Sequence, residues 1–465
     1  VHEAYRYQRT LRVTPDYDVV VVGGGPSGIG AAIASARNGA RTLLIERYGF
    51  LGGNLTAGLV GPCMTSYSLD GSQQLIKGIF EEFVNRMVEA GGALHPSGIP
   101  ARSPYCGFIE YGHDKVTPFD PECAKITALR MVREAGVSLL LHTMVVDTIT
   151  EPGEAGRTRV TGLVCASKSG LHLQPARQVL DCSADGDVAA LAGNEIKLGR
   201  DGDGLTQPMT LFFRVQGVDD AVVEEYVYAH PDDFRPFASI VAKAREEGRF
   251  PAPRKGIGLY KTLQPGVWRI NTGRVLRRNG TDVEDLTAAE LEAREQTMQL
   301  LAFFRSDLPG FANASLLDTA TQIGIRETRR IVGEYTLTLG DLQNGVRFPD
   351  VIALCGYPVD IHSPDGAGGG TAEAPPTANV YEIPYRVMVP RDLDNVLVAG
   401  RAVSATHEAL GAIRVMPPCF AMGEAAGTAA GLALQAGHST RALDVPTLQA
   451  KLRSQGAEIG EPEPA

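Results

Sequence analysis

The spacing of hydrophobic and polar positions changes several times along the chain, and each change predicts an element. Val19 to Val22 is an unbroken β-branched run, too apolar to alternate, which predicts a parallel strand buried on both faces. It runs straight into Gly23, Gly25 and Gly28, spaced G-x-G-x-x-G, and then into an Ala-rich helix from about Ser27 to Asn38, stopped by Gly39. Thr42 to Ile45 predicts a second parallel strand with Glu46 at its end. Between 73 and 91, Leu75, Ile79, Phe80, Phe83, Val84 and Met87 recur at helical spacing, a pattern for packing rather than chemistry. Residues 95–118 are irregular and rich in Pro and Gly. Asp120-Pro121-Glu122 then supplies a cap, a first-turn proline and an acid for a helix to about Ala135. Val137 to Leu141 and Met144 to Ile149 are strand-like, and Arg159 to Ser167 with Leu171 to Val179 predict a hairpin through Lys168-Ser169-Gly170. A strand end at Leu180-Asp181 leads into the small-residue loop Cys182-Ser183-Ala184-Asp185-Gly186 and an Ala-rich helix.

From about 205 to 385 the pattern changes: Met209 to Val215 and Val267 to Ile270 are strand-like, and a charged helix spans about 287 to 305. No second G-x-G-x-x-G follows a strand, so this stretch reads as an inserted substrate or cap domain. The earlier pattern returns at Asn395 to Val398, a strand ending at Gly400-Arg401. Arg414-Val415-Met416-Pro417-Pro418 leads from there into an Ala- and Gly-rich helix, Cys419 to Leu434. Residues 1–16 read as a polar arm, and the tail after Ala442 as a short polar helix with a disordered Glu/Pro end.

The chemistry follows from these placements. Gly23 allows a tight turn, Gly25 lets the backbone approach a pyrophosphate, and Gly28 lets the helix pack on the strand. The helix aims its free amides and positive dipole end at phosphates, and Glu46 arrives where an acid takes ribose hydroxyls. Strand, turn, helix, strand and acid in order predict a dinucleotide site. The loop Arg47 to Thr56, with glycines at 49, 52 and 53, can lie close to a flat ring or diphosphate, with Asn54 and Thr56 as donors; the alternative is a plain turn. In Ile323 to Tyr335, Arg326, Arg329 and Arg330 are either carboxylate-recognising groups or interdomain ion-pair partners. Asp360 and His362 fall on one side of an extended segment, where the acid would orient a proton-transferring histidine; a structural histidine is the alternative. Asp365 to Pro376 reads as a flexible, lid-like loop. The proline-marked start of the last helix suits partial negative charge.

Composition narrows the classes. The 465 residues suffice for about two to four domains. A net charge of −10, from 54 acidic and 44 basic residues and with no basic block, argues against a nucleic-acid surface but leaves an anionic small-molecule substrate open. Seven scattered cysteines without CxxC disfavour metal and dithiol readings and fit free thiols in the cytoplasm. No apolar run predicts a membrane span, and VHEAYRYQRTLR has no signal core.

Taken together, VVVVGGGPSGIGAA with Glu46, the 47–56 loop, DCSADGDVAALAG and NVLVAGRAVSATHEALGAIRVMPPCFAMGEAAGTAA resemble FAD-dependent oxidoreductases of the glutathione-reductase structural class. More narrowly, with IGIRETRRIVGEY and PVDIH, they resemble a bacterial group related to fumarate reductase and tricarballylate dehydrogenase flavoproteins. The fold expected is α/β: a Rossmann-like FAD-binding domain of three layers, ββα, with an inserted α+β cap. The FAD domain would cover 17–204 (with an irregular substrate-side insertion at 61–118) and 386–440, the cap 205–385, and the tail 441–465. The resemblance implies that Gly23, Gly25, Pro26, Ser27 and Gly28 hold the diphosphate, and that Glu46 binds ribose. Arg47, Gly53, Asn54, Leu55 and Thr56 would lie along the cofactor, and Val145 would meet adenine through its backbone. Ala184 and Asp185 sit where such enzymes usually carry Ala-Thr-Gly-Asp, a departure that leaves a backbone contact there. Gly400 and Arg401 would touch the diphosphate–ribityl region, and Met416 to Gly423 the flavin. With no histidine in the 47–56 loop, non-covalent FAD is expected. His362 (oriented by Asp360) and His407 are the candidate acid–base groups, and Arg330 and Arg414 the candidate anion clamps. The reading is hydride exchange between FAD and a small organic substrate, carboxylated or polyhydroxylated, with an external electron acceptor and no nucleic-acid or membrane partner; a homo-oligomer stays open. A redox-neutral hydratase or lyase, a monooxygenase and a flavin subunit of an electron-transfer complex are the alternatives.

Overall fold

The β-branched run folds as the strand Tyr17–Val22, its last four residues buried. In the computed structural model, which describes residues 7–370 and 374–460, this strand lies parallel between Thr42–Ile45 and Gly170–Asp181, with Val20 opposite Leu43 on one side and Val179 on the other. Ser138–Leu140 extends the sheet beyond Thr42–Ile45, and Val396–Val398 adds a parallel strand against the end of Gly170–Asp181. Gly170–Asp181 belongs to two layers. Its second half lies in the parallel sheet, while its first half pairs antiparallel with Thr158–Ser167, which pairs in turn with Thr143–Pro152.

The two faces of the first strand separate the layers. Val19 and Val21 pack with Ile29, Ile33 and the C-terminal helix, whereas Val20 and Val22 pack with Val145, Val160, Leu163 and Cys165 of the antiparallel meander. This is the expected ββα arrangement, and the period of two along a fully buried strand produces it.

Several elements differ locally from expectation. The polar arm contains a two-residue strand, Arg12–Val13, parallel to His172–Leu173. Its first six residues, residues 371–373 of the 365–376 loop and the Glu/Pro end lie outside the described residues. The helix expected from 73 starts only at Gly78, because Ser66 O already takes the Leu75 and Ile76 N–H groups. Met209 and Thr210 make isolated bridges to Val275 and Gly324, leaving Phe213–Gln216 as the strand. The charged helix runs longer than expected, Val283–Asp307, because Asp282 caps it through the Glu284 and Asp285 N–H groups.

The cap has a four-stranded antiparallel sheet in the order Leu259–Lys261, Trp268–Ile270, Phe213–Gln216, Ser315–Thr319. Its core gathers Phe213, Trp268, Phe304 and Phe311. The expected return to the main body at 386 comes earlier. Leu337, Leu342, the paired strands Val351–Cys355 and Tyr381–Pro384, and Tyr385 all pack into the core that holds Val19 and Ile29. Among the described residues no helix is long and apolar enough to cross a membrane.

The helix Met416–Ala436 lies against the glycine-loop helix Pro26–Arg37 at backbone distance. A Cβ on Gly423, Gly427 or Gly431 would stand 2.0 Å from Ser27 O, 2.2 Å from Ala31 O or 2.6 Å from the Asn38 Cβ. Their spacing of four residues puts all three on one helical face. Between them, Glu424 is buried and accepts the Ile79 N–H at 3.0 Å, at the start of the Gly78–Glu89 helix. Burial raises its carboxyl to about 7. A raised carboxyl adds nothing below its unfolded value, costs progressively more as pH rises towards 7, and leaves a constant deficit of roughly 3 kcal/mol above it. Glu424→Gln keeps an acceptor for Ile79, so its melting temperature should exceed the parent's at about pH 8 and converge with it near about pH 4.5. Equal melting temperatures across that range would refute the ionisation cost.

Candidate functional site

The glycine loop forms one wall of an open cavity. Gly23 turns at φ +97°, where a Cβ would meet Cys182 O at 2.4 Å, and the helix begins at Gly25-Pro26 with no acid in its first turn. Gly25, Pro26 and Ser27, at the helix start where backbone N–H groups have no helical acceptor, line the cavity. A Cβ on Gly25 would find only Gly53, at 3.9 Å, so the inner side of the turn is open. Glu46 is buried at the end of its strand, accepting the Gly24 N–H at 2.6 Å and the Tyr48 N–H at 2.9 Å. Burial pushes its carboxyl upward. Arg47, Gly53, Asn54, Val145, Ala184, Asp185, Gly400, Arg401 and Met416 also line this cavity.

Asp185 is held by the Thr328 hydroxyl at 2.6 Å and by the guanidinium of Arg401, which also donates to Ala184 O at 2.9 Å and to Ile325 O. Ala184 itself sits at φ +73°, the left-handed region usually left to glycine. Gly400, at φ +99°, comes so close to the glycine-loop helix that a Cβ would lie 2.8 Å from Ser27 Oγ.

Four expected cofactor residues are placed otherwise. Gly28 does not line the cavity; a Cβ there would lie 1.7 Å from Gly23 O, so its part is strand–helix contact. Leu55 is fully buried beneath the loop, and the Thr56 hydroxyl donates to Leu51 O at 2.8 Å instead of facing a ligand. Gly423 is spent on the contact between the two helices, so on the last helix Met416 and Cys419 reach the cavity instead.

A second cavity lies between the cap and the main body. It shares Asn54, Ile325, Arg414 and Met416 with the first, so the two adjoin. Val60, Met64, Phe212 and Val415 give it an apolar wall, and Arg235, Arg254, Arg326, Tyr260, Tyr357, His113 and Asn271 a polar one. Asp360 and His362 both line it. Asp360 lies 3.2 Å from Arg414 Nη2 and 3.4 Å from His362 Nε2. Burial works to raise its carboxyl, but the Arg414 and Arg326 charges outweigh burial and hold it below the usual carboxylate value.

His362 departs from its expected role. Its Nδ1 stands 2.9 Å from Arg274 Nη2, which can only donate, so Nδ1 accepts and the ring proton sits on Nε2, towards Asp360. Burial, then the charges of Arg326, Arg254, Arg274 and Arg414, push its pKa well below the usual histidine value. The ring is neutral, and neither nitrogen is open to take a proton. The expected relation is therefore reversed, with the histidine orienting the acid.

Arg330 and His407 are not in either cavity lining. Arg330 spends its donors on Glu327, Ala405 O and Gly199 O, and the His407 Nδ1 lies 2.9 Å from Glu327 Oε1. They form a buried ion cluster that ties the segment after the cap to the His407–Ile413 helix. Arg414 does line both cavities, and its Nε is buried with no hydrogen-bond partner among the described residues. Sequence reading missed Arg235, Arg254, Tyr260, Asn271 and Tyr357, and it named Arg326 only within its triplet. The one local signal was that triplet, on an irregular segment with no period to say which arginine faces inward.

A family model described as FAD dependent oxidoreductase matches residues 18–452. Digeranylgeranylglycerophospholipid reductase of Methanocaldococcus jannaschii is 39% identical over 82 residues, 18% of this chain and 19% of that protein. Soluble pyridine nucleotide transhydrogenase of Salmonella typhimurium is 54% identical over 41 residues, 9% of each. The match thus spans a fifth or less of the length of these curated relatives. Among solved structures, p-nitrophenol 4-monooxygenase PnpA of Pseudomonas putida is 13% identical, covering 97% of this chain and 91% of that one at a TM-score of 0.47. A geranylgeranyl bacteriochlorophyll reductase-like protein of Thermoplasma acidophilum is 12% identical, covering 97% and 85% at 0.41.

Proposed function

The chain belongs to the FAD dependent oxidoreductase family, and from that premise we propose that it exchanges a hydride between non-covalently bound FAD and a small organic substrate, carboxylated or polyhydroxylated, lodged in the second cavity. The observation that carries this is that the two cavities share Asn54, Ile325, Arg414 and Met416, so that ligands filling both would adjoin there.

The residues of the first cavity fit the cofactor. The open turn at Gly25 and the uncapped, acid-free helix start suit a diphosphate. Glu46 suits ribose hydroxyls, with Val145 at the adenine end and Asn54, Arg414 and Met416 towards the ring. Cys182 and Cys419 line the same cavity, but burial raises both thiols, Cys419 to about 12, which suppresses the thiolate a covalent link would need. FAD supplies the two-electron chemistry when bound. The chain orients the substrate and moves the proton. Asp360 is the one carboxylate lining the second cavity among the described residues. Ionised and held by Arg414, with the neutral His362 ring 3.4 Å away, it is the acceptor for a proton leaving the substrate as hydride departs. The seven free thiols support a reducing, cytoplasmic setting.

The test is to purify the protein, record its visible spectrum, and screen alcohols, amines and carboxylic acids for anaerobic bleaching. Bands near roughly 370 and 450 nm that bleach with substrate are expected of a flavin hydride carrier. A colourless protein that refuses added FAD would sink the proposal. Oxygen consumed in step with substrate, only when an external reductant is present, would replace it with a monooxygenase.

A further inference from the structure

Arginine dominates the polar wall of the second cavity: Arg235, Arg254, Arg326 and Arg414 line it against the single carboxylate of Asp360. Arg254 and Arg326 stand apart from the rest. Arg254 Nη1 donates to the Asn271 carbonyl at 2.7 Å. Arg326 Nη1 donates to Pro208 O and Thr210 Oγ1, both at 2.7 Å, and its Nη2 to the Asn271 side-chain oxygen at 3.3 Å. Every one of these acceptors is neutral, and among the described residues neither guanidinium makes an ion pair. Asn271 bridges the two, accepting from one through its backbone and from the other through its side chain.

Two such cations bridged by one asparagine are costly where the nearest opposite charge, Asp360, is already paired with Arg414. Burial, joined by neighbouring arginine charges, pushes both groups below the ordinary arginine value, Arg326 to about 9. Fixed guanidinium forks match a carboxylate in plane and spacing, which a polyol hydroxyl does not. The apolar wall of Val60, Met64, Phe212 and Val415 suits a hydrocarbon body attached to that acid. Arg254, Arg326 and Asn271 belong to the second cavity alone, whereas Arg414, with its partnerless Nε, stands at the junction.

We infer that the substrate is an organic acid whose carboxylate is held between Arg254 and Arg326, and that a neutral polyol of similar size is refused. This rests on the reading of the second cavity as the substrate site and settles which of its two substrate classes applies.

The experiment titrates the FAD-loaded protein, in a buffer of fixed ionic strength, with propionate and benzoate and with their neutral isosteres propionamide and benzamide, plus glycerol. Calorimetry, melting temperature and the flavin band near roughly 450 nm are followed together. Both acids should bind, raise the melting temperature and perturb the band, while the amides and glycerol leave all three unchanged. Arg326→Gln and Arg254→Gln should each weaken acid binding by at least about tenfold while retaining the parent's flavin absorbance per chain. Their melting temperatures without acid should equal or exceed the parent's, because a buried cation repelled by neighbouring arginines is gone. A purely structural arginine would lower it instead. Amides binding as well as acids, acids that do not bind a yellow protein, or undiminished binding in both variants would overturn the inference and leave the flavin reading intact. A protein that takes up no FAD would overturn the flavin reading, while the same calorimetric titration still reports on the anion site. If either variant fails to fold, Asn271→Ala and the wild-type titration carry the decision.

Discussion

Gly28→Val is expected to yield a colourless, poorly soluble protein. The added Cβ would lie 1.7 Å from Gly23 O and 2.8 Å from Gly23 C. Both atoms are backbone, so no rotamer relieves the clash, and the helix must back away from the strand. That displacement opens the layer in which Val19, Val21, Ile29 and Ile33 pack and moves the first-turn amides off the phosphate position. A stability loss of about 3 kcal/mol or more is expected from overpacking of this kind. FAD retention should fall at least tenfold, roughly 1.4 kcal/mol or more, because its amides act only as an aligned set. Gly98→Ala is the control, since a Cβ there meets nothing within 4 Å. The check is the ratio of flavin to protein absorbance in soluble protein, together with the melting temperature. A Gly28→Val protein as yellow and as stable as the Gly98→Ala protein would refute the packing argument.

The second large effect concerns the proton. Asp360→Asn should slow substrate-driven flavin bleaching by about 10²–10⁴-fold, the range for losing a positioned base. Flavin content should not change, because Asp360 lines only the second cavity. His362→Ala should cost less, about tenfold, since a neutral ring packed beside the acid only fixes its position. The pH profile separates the two residues. A carboxyl held below its usual value is ionised, and able to accept a proton, above that pKa. Bleaching should therefore stay flat through about pH 6.5, where an ordinary histidine titrates, and fall only below about pH 4. An inflection near about pH 6.5 that disappears in His362→Ala would return the proton to the histidine.

How much of this could be read from the residues depends on how far apart the cooperating groups lie in the chain. Within residues 18–46, strand, turn, helix and acid are neighbours in sequence. The glycine spacing and the β-branched run therefore point to the cavity wall that forms, and Glu46 lands on it. The layer beyond the sheet was legible through the Lys168-Ser169-Gly170 turn, which closes the hairpin between Thr158–Ser167 and Gly170–Asp181. The arginine wall was not legible. Arg254, Arg326 and Arg414 come from three separate stretches and meet only when the cap closes on the main body, and no local period marks any of them as inward-facing. Arg330 and Arg326 show the difficulty most clearly. They are four residues apart in one motif, yet one is consumed by Glu327, Ala405 O and Gly199 O while the other faces the cavity. Thr56 and Leu55 were misassigned for a related reason: a turn that bends towards a ligand must also close on itself, and Leu51 O claimed the hydroxyl.

The glycine face of the Met416–Ala436 helix has a consequence for biosynthesis. The glycine turn leaves the ribosome some four hundred residues before the opposite wall of its cavity, counting from the glycine loop to Met416, and translation proceeds at only about 5–20 residues per second. For tens of seconds, then, a nascent chain presents only one wall of this cavity. Loading is therefore expected late, when the Met416–Ala436 helix seats itself on the glycine-loop helix. Ribosome-bound chains stalled before residue 416 should be free of flavin even when FAD is abundant.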